Sequence, residues 1–151
     1  MPSPSPTTGV TTIRVRYAEC DPMGVAHHTA YPVWFEMGRT ELCRAGGVRY
    51  RDLEAEGVLL AVTALSVRYR APARYDDELE LTTTLSRMTR VKLEHVYELR
   101  RDGEILTTAE TTLACLGTDG RPRLLPDGLA SWIVRVSQRS LSAAERDARR
   151  R

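Results

Sequence analysis

The chain reads as an α+β protein: one long apolar-faced helix packed against one strongly curved, mostly antiparallel five-stranded sheet, with a short helix near the C-terminal end. Three observations carry that expectation. One stretch, Tyr31 to Ala45, repeats apolar residues at helical spacing. From Val58 onward the apolar residues instead alternate, as they do in half-buried strands. The order is strand, long helix, four strands, short helix, so one broad apolar helix face meets one sheet.

Met1 to Thr12 is rich in Pro, Ser and Thr and lacks periodicity, so residues 1–12 are expected to be a mobile leader. The folded domain then spans 13–136. Ile13-Arg14-Val15-Arg16-Tyr17 alternates apolar and basic residues and reads as the first strand. Asp21-Pro22-Met23-Gly24 follows, a sequence suited to a turn. Beyond it Tyr31, Trp34, Phe35, Gly38, Leu42 and Ala45 form the helical stripe. Thr29 is its expected N-cap, Pro32 is tolerated in the first turn, and Gly46-Gly47 stops it. Gly38 sits inside the apolar face, where a Gly costs about 1 kcal/mol relative to Ala. A sheet pressing close against that face accounts for it.

Arg49 to Glu56 reads as a short second helix ended by Gly57. Strands are expected at Leu65–Arg70, ended by Pro72, at Glu78–Leu85, at Val91–Arg100 and at Ile105–Leu116. Asp102-Gly103 is a two-residue hairpin turn, and Asp119-Gly120 turns the chain again. Leu129, Trp132, Ile133 and Val136 fall at i, i+3, i+4 and i+7 and predict the short C-terminal helix. Residues 137–151 are Arg-rich and expected to be a mobile, solvated tail.

A chain of 151 residues suits a single domain with a real core. Lys+Arg number 22 against 20 Asp+Glu, and a net charge of +2 argues against nucleic acid or a membrane surface as partner. Cys20, Cys43 and Cys115 are odd in number and scattered, so reduced thiols and a cytoplasmic setting are expected. No apolar run approaches the ~20 residues of a membrane span, and the N-terminus lacks a signal-peptide pattern.

Chemistry concentrates between Asp21 and Tyr31. An acid lying between a strand and a helix N-terminus sits near the unpaired amides of the first helical turn. A carbonyl held there would be polarised, and the carboxylate would attack its carbon or activate a water. His27 and His28 are two of only three histidines and flank the helix start, where an imidazole would orient water or bind substrate. His95 lies on the apolar face of a strand and is expected to be a core residue with one satisfied hydrogen bond. Glu36 either pairs with Arg39 on the helix surface or faces the Asp21 cleft. No metal site is expected, because the adjacent histidines have no regularly spaced Cys or Glu partners. Ser66 and Ser86 lack a nucleophile elbow, and Cys43 lacks activators. Arg68, Arg70, Arg74, Arg87 and Arg90 are either a solvated strand face or a grip for the phosphates of a nucleotide-bearing group.

The run Tyr17-Ala18-Glu19-Cys20-Asp21-Pro22-Met23-Gly24-Val25-Ala26-His27-His28-Thr29-Ala30-Tyr31, with Trp34-Phe35-Glu36 and Arg39-Thr40-Glu41, resembles the hotdog-fold acyl-CoA thioesterases of the 4-hydroxybenzoyl-CoA thioesterase type. Val67 to Asp77 is similar to that family's second-strand signature, and the resemblance spans about Ile13 to Leu116. It implies a hotdog fold, an acyl-CoA substrate at a subunit interface, a homodimer that assembles to a homotetramer, and no cofactor, coenzyme A being part of the substrate. Asp21 would be the nucleophile or general base and the His28 amide the donor to the thioester carbonyl. Gly24 belongs to the same catalytic loop, with Glu36 a secondary acid. Substrate contacts would come from His27 and Tyr31, with Arg68, Arg70, Arg74 and Arg90 as candidates for the CoA phosphates. A non-catalytic acyl-CoA-binding domain and an acyl-CoA hydratase or dehydratase are the competing expectations. His-Thr-Ala-Tyr, where many members are Asn-rich, departs from the family pattern and bears on acyl preference.

Overall fold

A computed structural model describes residues 7–127 and Leu129. Five strands, β1 (Thr7–Arg14), β2 (Leu59–Tyr69), β3 (Glu78–Met88), β4 (Lys92–Arg101) and β5 (Glu104–Leu116), form one sheet in the order β1-β3-β4-β5-β2. Every neighbouring pair is antiparallel. The long helix α1 (Ala30–Ala45) lies against it, and α2 (Tyr50–Ala55) follows. β1 and β2 are the two sheet edges.

The stripe read from the sequence is the buried face of α1: Tyr31, Trp34, Phe35, Gly38 and Leu42 are all buried. Tyr31, Trp34 and Phe35 pack with Leu79, Leu81, Tyr97, Leu99 and Leu106, while Leu42 and Cys43 join a second cluster with Leu85, Leu93, Leu113 and Leu129. At Gly38 helix and sheet approach closely. A Cβ there would lie 2.7 Å from Leu81 Cδ2 and closer still to Thr83 Oγ1. Gly46 and the left-handed Gly47 (φ 87°) end the helix, with Val48 N–H reaching back to Cys43 O at 3.1 Å.

Three expectations change. Thr7 to Thr12, expected in the mobile leader, instead pair with Leu85 to Glu80 on β3, and residues 1–6 lie outside the described residues. Thr, Val and Ile are good strand residues, and a partner strand outweighs the absence of a clean alternation. The strand also ends at Arg14, and Tyr17–Glu19 forms a 3₁₀ turn instead. Finally, Thr29 holds the N-cap position but makes no capping bond; its hydroxyl meets His27 Nδ1 at 2.7 Å. Apart from buried Leu129, the expected C-terminal helix and the 137–151 tail lie outside the described residues.

His95 is in the core as expected, 3% exposed and stacked on Tyr97 at 6.1 Å, but its Nδ1 has no partner among the described residues. Burial, with the Arg39 guanidinium adding to it, pushes its pKa down to about 3. The unfolded chain takes up a proton as pH falls through about 6.5, whereas the native imidazole stays neutral, so stability is lost as pH falls from there towards the native value. The expected loss between pH 7 and pH 5 is about 2 kcal/mol from this residue. Urea unfolding at both pH values should show it in the parent, and His95→Leu should remove that part of the slope.

Candidate active site

Asp21 to Gly24 forms the expected turn, with Gly24 N–H donating to Asp21 O at 2.9 Å and Gly24 at φ 77°. Gly24 thus serves through its backbone. The carboxylate does two things at once. Asp21 Oδ1 accepts the Met23 N–H at 2.9 Å, which fixes the side chain, while Oδ2 has no donor among the described residues. The loop is then pinned from both sides: Ala26 N–H donates to Ala73 O at 2.7 Å, and His27 N–H to Glu19 O at 2.7 Å. Val25 bridges Arg74 as well.

Glu19 is the anchor beneath. Its carboxylate accepts the Trp34 indole N–H at 2.7 Å and the Arg16 N–H at 2.8 Å. Burial pulls its pKa upward, but the bonds from Arg16 and Trp34 outweigh it and hold the carboxyl below its usual range. Glu19 therefore ties the loop before the helix to the second turn of α1.

His28 stands at the mouth of α1. The His27 carbonyl accepts Ala30 N–H at 2.9 Å, and in a trans peptide the following N–H points the opposite way. The His28 N–H is thus directed out of the helix N-terminus, and it donates to no acceptor among the described residues. The next carbonyl, His28 O, accepts the Tyr69 hydroxyl at 2.8 Å. Asp21, His28, Tyr31, Tyr69 and Arg70 line one open cleft of about 350 Å³. Burial raises the pKa of Tyr31 and of Tyr69, which keeps both phenols protonated as donors. An amide at the positive end of a helix dipole and a carboxylate with a free oxygen share this space.

Not every expected residue joins them. Glu36 lines a separate groove of about 280 Å³ between α1 and β2, and its carboxylate lies 3.9 Å from Arg39, so within one chain the surface-pair alternative holds. His27 leans on His28 with ring centroids 4.2 Å apart and binds Thr29, outside the cleft lining. Arg68 lies by Ser66 and Glu110 in a polar hollow of its own. Arg70 escapes that alternation because β2 ends at Tyr69: the N–H groups of Arg70 and Ala71 both turn onto Leu106 O, at 2.8 and 3.1 Å. Arg74 is exposed beside Val25 at the loop. Arg90 lies with Leu124 and Leu125 in another hollow, apart from Asp21. Spacing in sequence put these arginines together, but the end of β2 at Tyr69 and the turn after Met88 disperse them. The hydroxyl of Tyr69 was missed, although Tyr69 stands inside the quoted second-strand signature. Among the described residues no group of three His, Cys, Asp or Glu is placed to hold a metal ion.

Residues 15–133 match the thioesterase-like superfamily. Acyl-CoA thioester hydrolase YbgC of Escherichia coli is 32% identical over 121 residues, covering 79% of this chain and 90% of the relative. DHNA-CoA thioesterase from Staphylococcus aureus superposes with a TM-score of 0.80 at 31% identity, covering 91% of this chain and 94% of that one. A 1,4-dihydroxy-2-naphthoyl-CoA thioesterase from Synechocystis shares the fold at 18% identity, with a TM-score of 0.78 over 84% of this chain and 96% of its own. With its long helix packed on one antiparallel sheet and a match across most of its length, the chain belongs to the thioesterase-like superfamily of hotdog proteins.

Proposed function

We propose that the chain hydrolyses an acyl-CoA thioester to free acid and coenzyme A at the Asp21 cleft. The reaction class follows from the family and from relatives named for it. The observation that carries the assignment to this cleft is that Asp21 and His28 line one space at the N-terminus of α1, with the His28 N–H directed out of the helix. The thioester carbonyl oxygen accepts the His28 N–H, which stabilises the charge that builds on it. Asp21 then either attacks the carbonyl carbon, forming an anhydride that water opens, or takes a proton from the attacking water. Either way the carbon–sulfur bond breaks, a carbon–oxygen bond forms, and the thiolate leaves as coenzyme A. No further cofactor takes part.

Arg70 and Arg74, at the rim of the cleft, meet the CoA phosphates. The separate apolar groove at the α1/β2 seam, lined by Pro32, Val33, Phe35, Val62 and Leu65, takes the acyl group, with Glu36 shaping its edge. β2 is an open sheet edge whose Val62, Leu65 and Tyr69 are exposed, which supports a homodimer formed by pairing this edge with a second copy, and a homotetramer of such dimers. The described helices include none long and apolar enough to cross a membrane, and the three cysteines are free, in keeping with work in the cytoplasm.

A thiol-release assay across short, long and aromatic acyl-CoAs tests the function. Turnover of at least one class is expected. Saturable binding of acyl-CoA without thiol release at high protein concentration would reject hydrolysis. Sedimentation velocity reads the assembly; a monomer throughout would reject the paired edge.

A further inference from the structure

We infer that Tyr69 is a positioning residue for hydrolysis: its hydroxyl fixes the peptide that follows His28 and so sets the direction of the His28 N–H. The inference rests on the proposed role of that amide. Residue 28 lies between two peptide planes. The preceding plane is held through the His27 carbonyl by Ala30 N–H at 2.9 Å. The following plane is held through the His28 carbonyl by the Tyr69 hydroxyl at 2.8 Å. Thr29 makes no capping bond that would lock the start of the helix in the ordinary way. Its N–H, in the same plane as the His28 carbonyl, donates to His27 Nδ1 at 3.3 Å, a longer bond than that of the Tyr69 hydroxyl and one made to an exposed side chain.

The phenol itself is well located. Its ring stands edge-on to Tyr31 with centroids 4.9 Å apart and a dihedral of 87°, and Tyr31 is 2% exposed in the core. The hydroxyl is therefore aimed by packing against a rigid residue rather than by chance rotation of a surface side chain. Tyr69 is also the last residue of β2, just before the chain turns onto Leu106 O. The open edge of the sheet thus reaches the peptide next to the catalytic one through one hydrogen bond. Small displacements of a donor to a developing oxyanion cost far more in turnover than in substrate binding, because the interaction strengthens only as charge builds.

The test is Tyr69→Phe, which keeps the ring and its packing and deletes only the hydroxyl. It is assayed on an acyl-CoA that the parent hydrolyses in an Asp21-dependent manner. A fall in kcat of about tenfold or more with KM within about twofold is expected. Tyr69→Ala should lose at least as much kcat, and circular dichroism with sedimentation checks that both variants keep the parental fold and assembly. An unchanged kcat in Tyr69→Phe overturns the inference, as does a loss confined to KM, which would make Tyr69 a substrate contact only. A parent chain that releases no thiol, or whose turnover ignores Asp21, instead rejects the functional proposal on which the inference rests.

Discussion

An Asp21→Asn chain should hydrolyse its acyl-CoA on the order of 10²–10⁴ times more slowly than the parent, with fold and assembly intact. The substitution is unusually clean here. The amide oxygen of Asn can still accept the Met23 N–H that Asp21 Oδ1 accepts at 2.9 Å, so the turn is retained. What disappears is the negative charge and basicity of the second oxygen, which has no donor among the described residues. Neither attack on the carbonyl nor deprotonation of water is then available. Thiol release measured under saturating substrate reads the loss. A variant as fast as the parent would mean that the carboxylate is only a turn-former and that the chemistry lies elsewhere.

Gly38→Val should have the largest effect on stability. In an exposed helix, replacing Gly by a residue with a side chain generally favours the helix, by up to about 1 kcal/mol for Ala. At Gly38 the sign reverses. The first added carbon would meet Leu81 Cδ2 at 2.7 Å and Thr83 Oγ1 more tightly still, and both neighbours belong to β3 in the middle of the packed layer. Leu81 is fully buried and Thr83 is 1% exposed, so neither has space into which to withdraw. Helix and sheet must separate, at a net cost of about 2–3 kcal/mol. Urea unfolding at neutral pH should show a lower midpoint with an unchanged slope. An equal or higher midpoint would show that the α1/β3 contact is looser than the backbone geometry requires.

The parts that could be read from the sequence are those set by local chemistry. The stripe from Tyr31 to Leu42 became the buried face of α1 because a helix of that periodicity has one place to put its apolar side. Asp102-Gly103 became the β4–β5 turn, with both residues at positive φ, because few other pairs adopt that conformation readily. Asp21 was visible as an acid between a strand and a helix. What escaped depended on tertiary neighbours. Thr7 to Thr12 are a strand only because β3 offers them partners. Arg68 and Arg70 stand two positions apart in a sequence that alternates, yet the end of β2 at Tyr69 sends them to different surfaces. Nothing in the spacing of Tyr69 and His28, forty-one positions apart, announces a hydrogen bond between them.

The sheet order has a kinetic consequence. β4 meets its sequence neighbours on both sides, but the edges do not: β1 waits for β3, and β2 for β5, across long intervening stretches of chain. Closing such loops is entropically slow, so the centre of the sheet is favoured to assemble before its margins. The Asp21 loop follows β1 and is fastened to Ala73, just past the end of β2. It therefore belongs to the margin. During refolding, strand signal should return before thioester turnover, and simultaneous recovery of the two would place the Asp21 loop in the early nucleus instead. A chain still being made or partly unfolded would, on this ordering, hold a nearly complete sheet and no working active site.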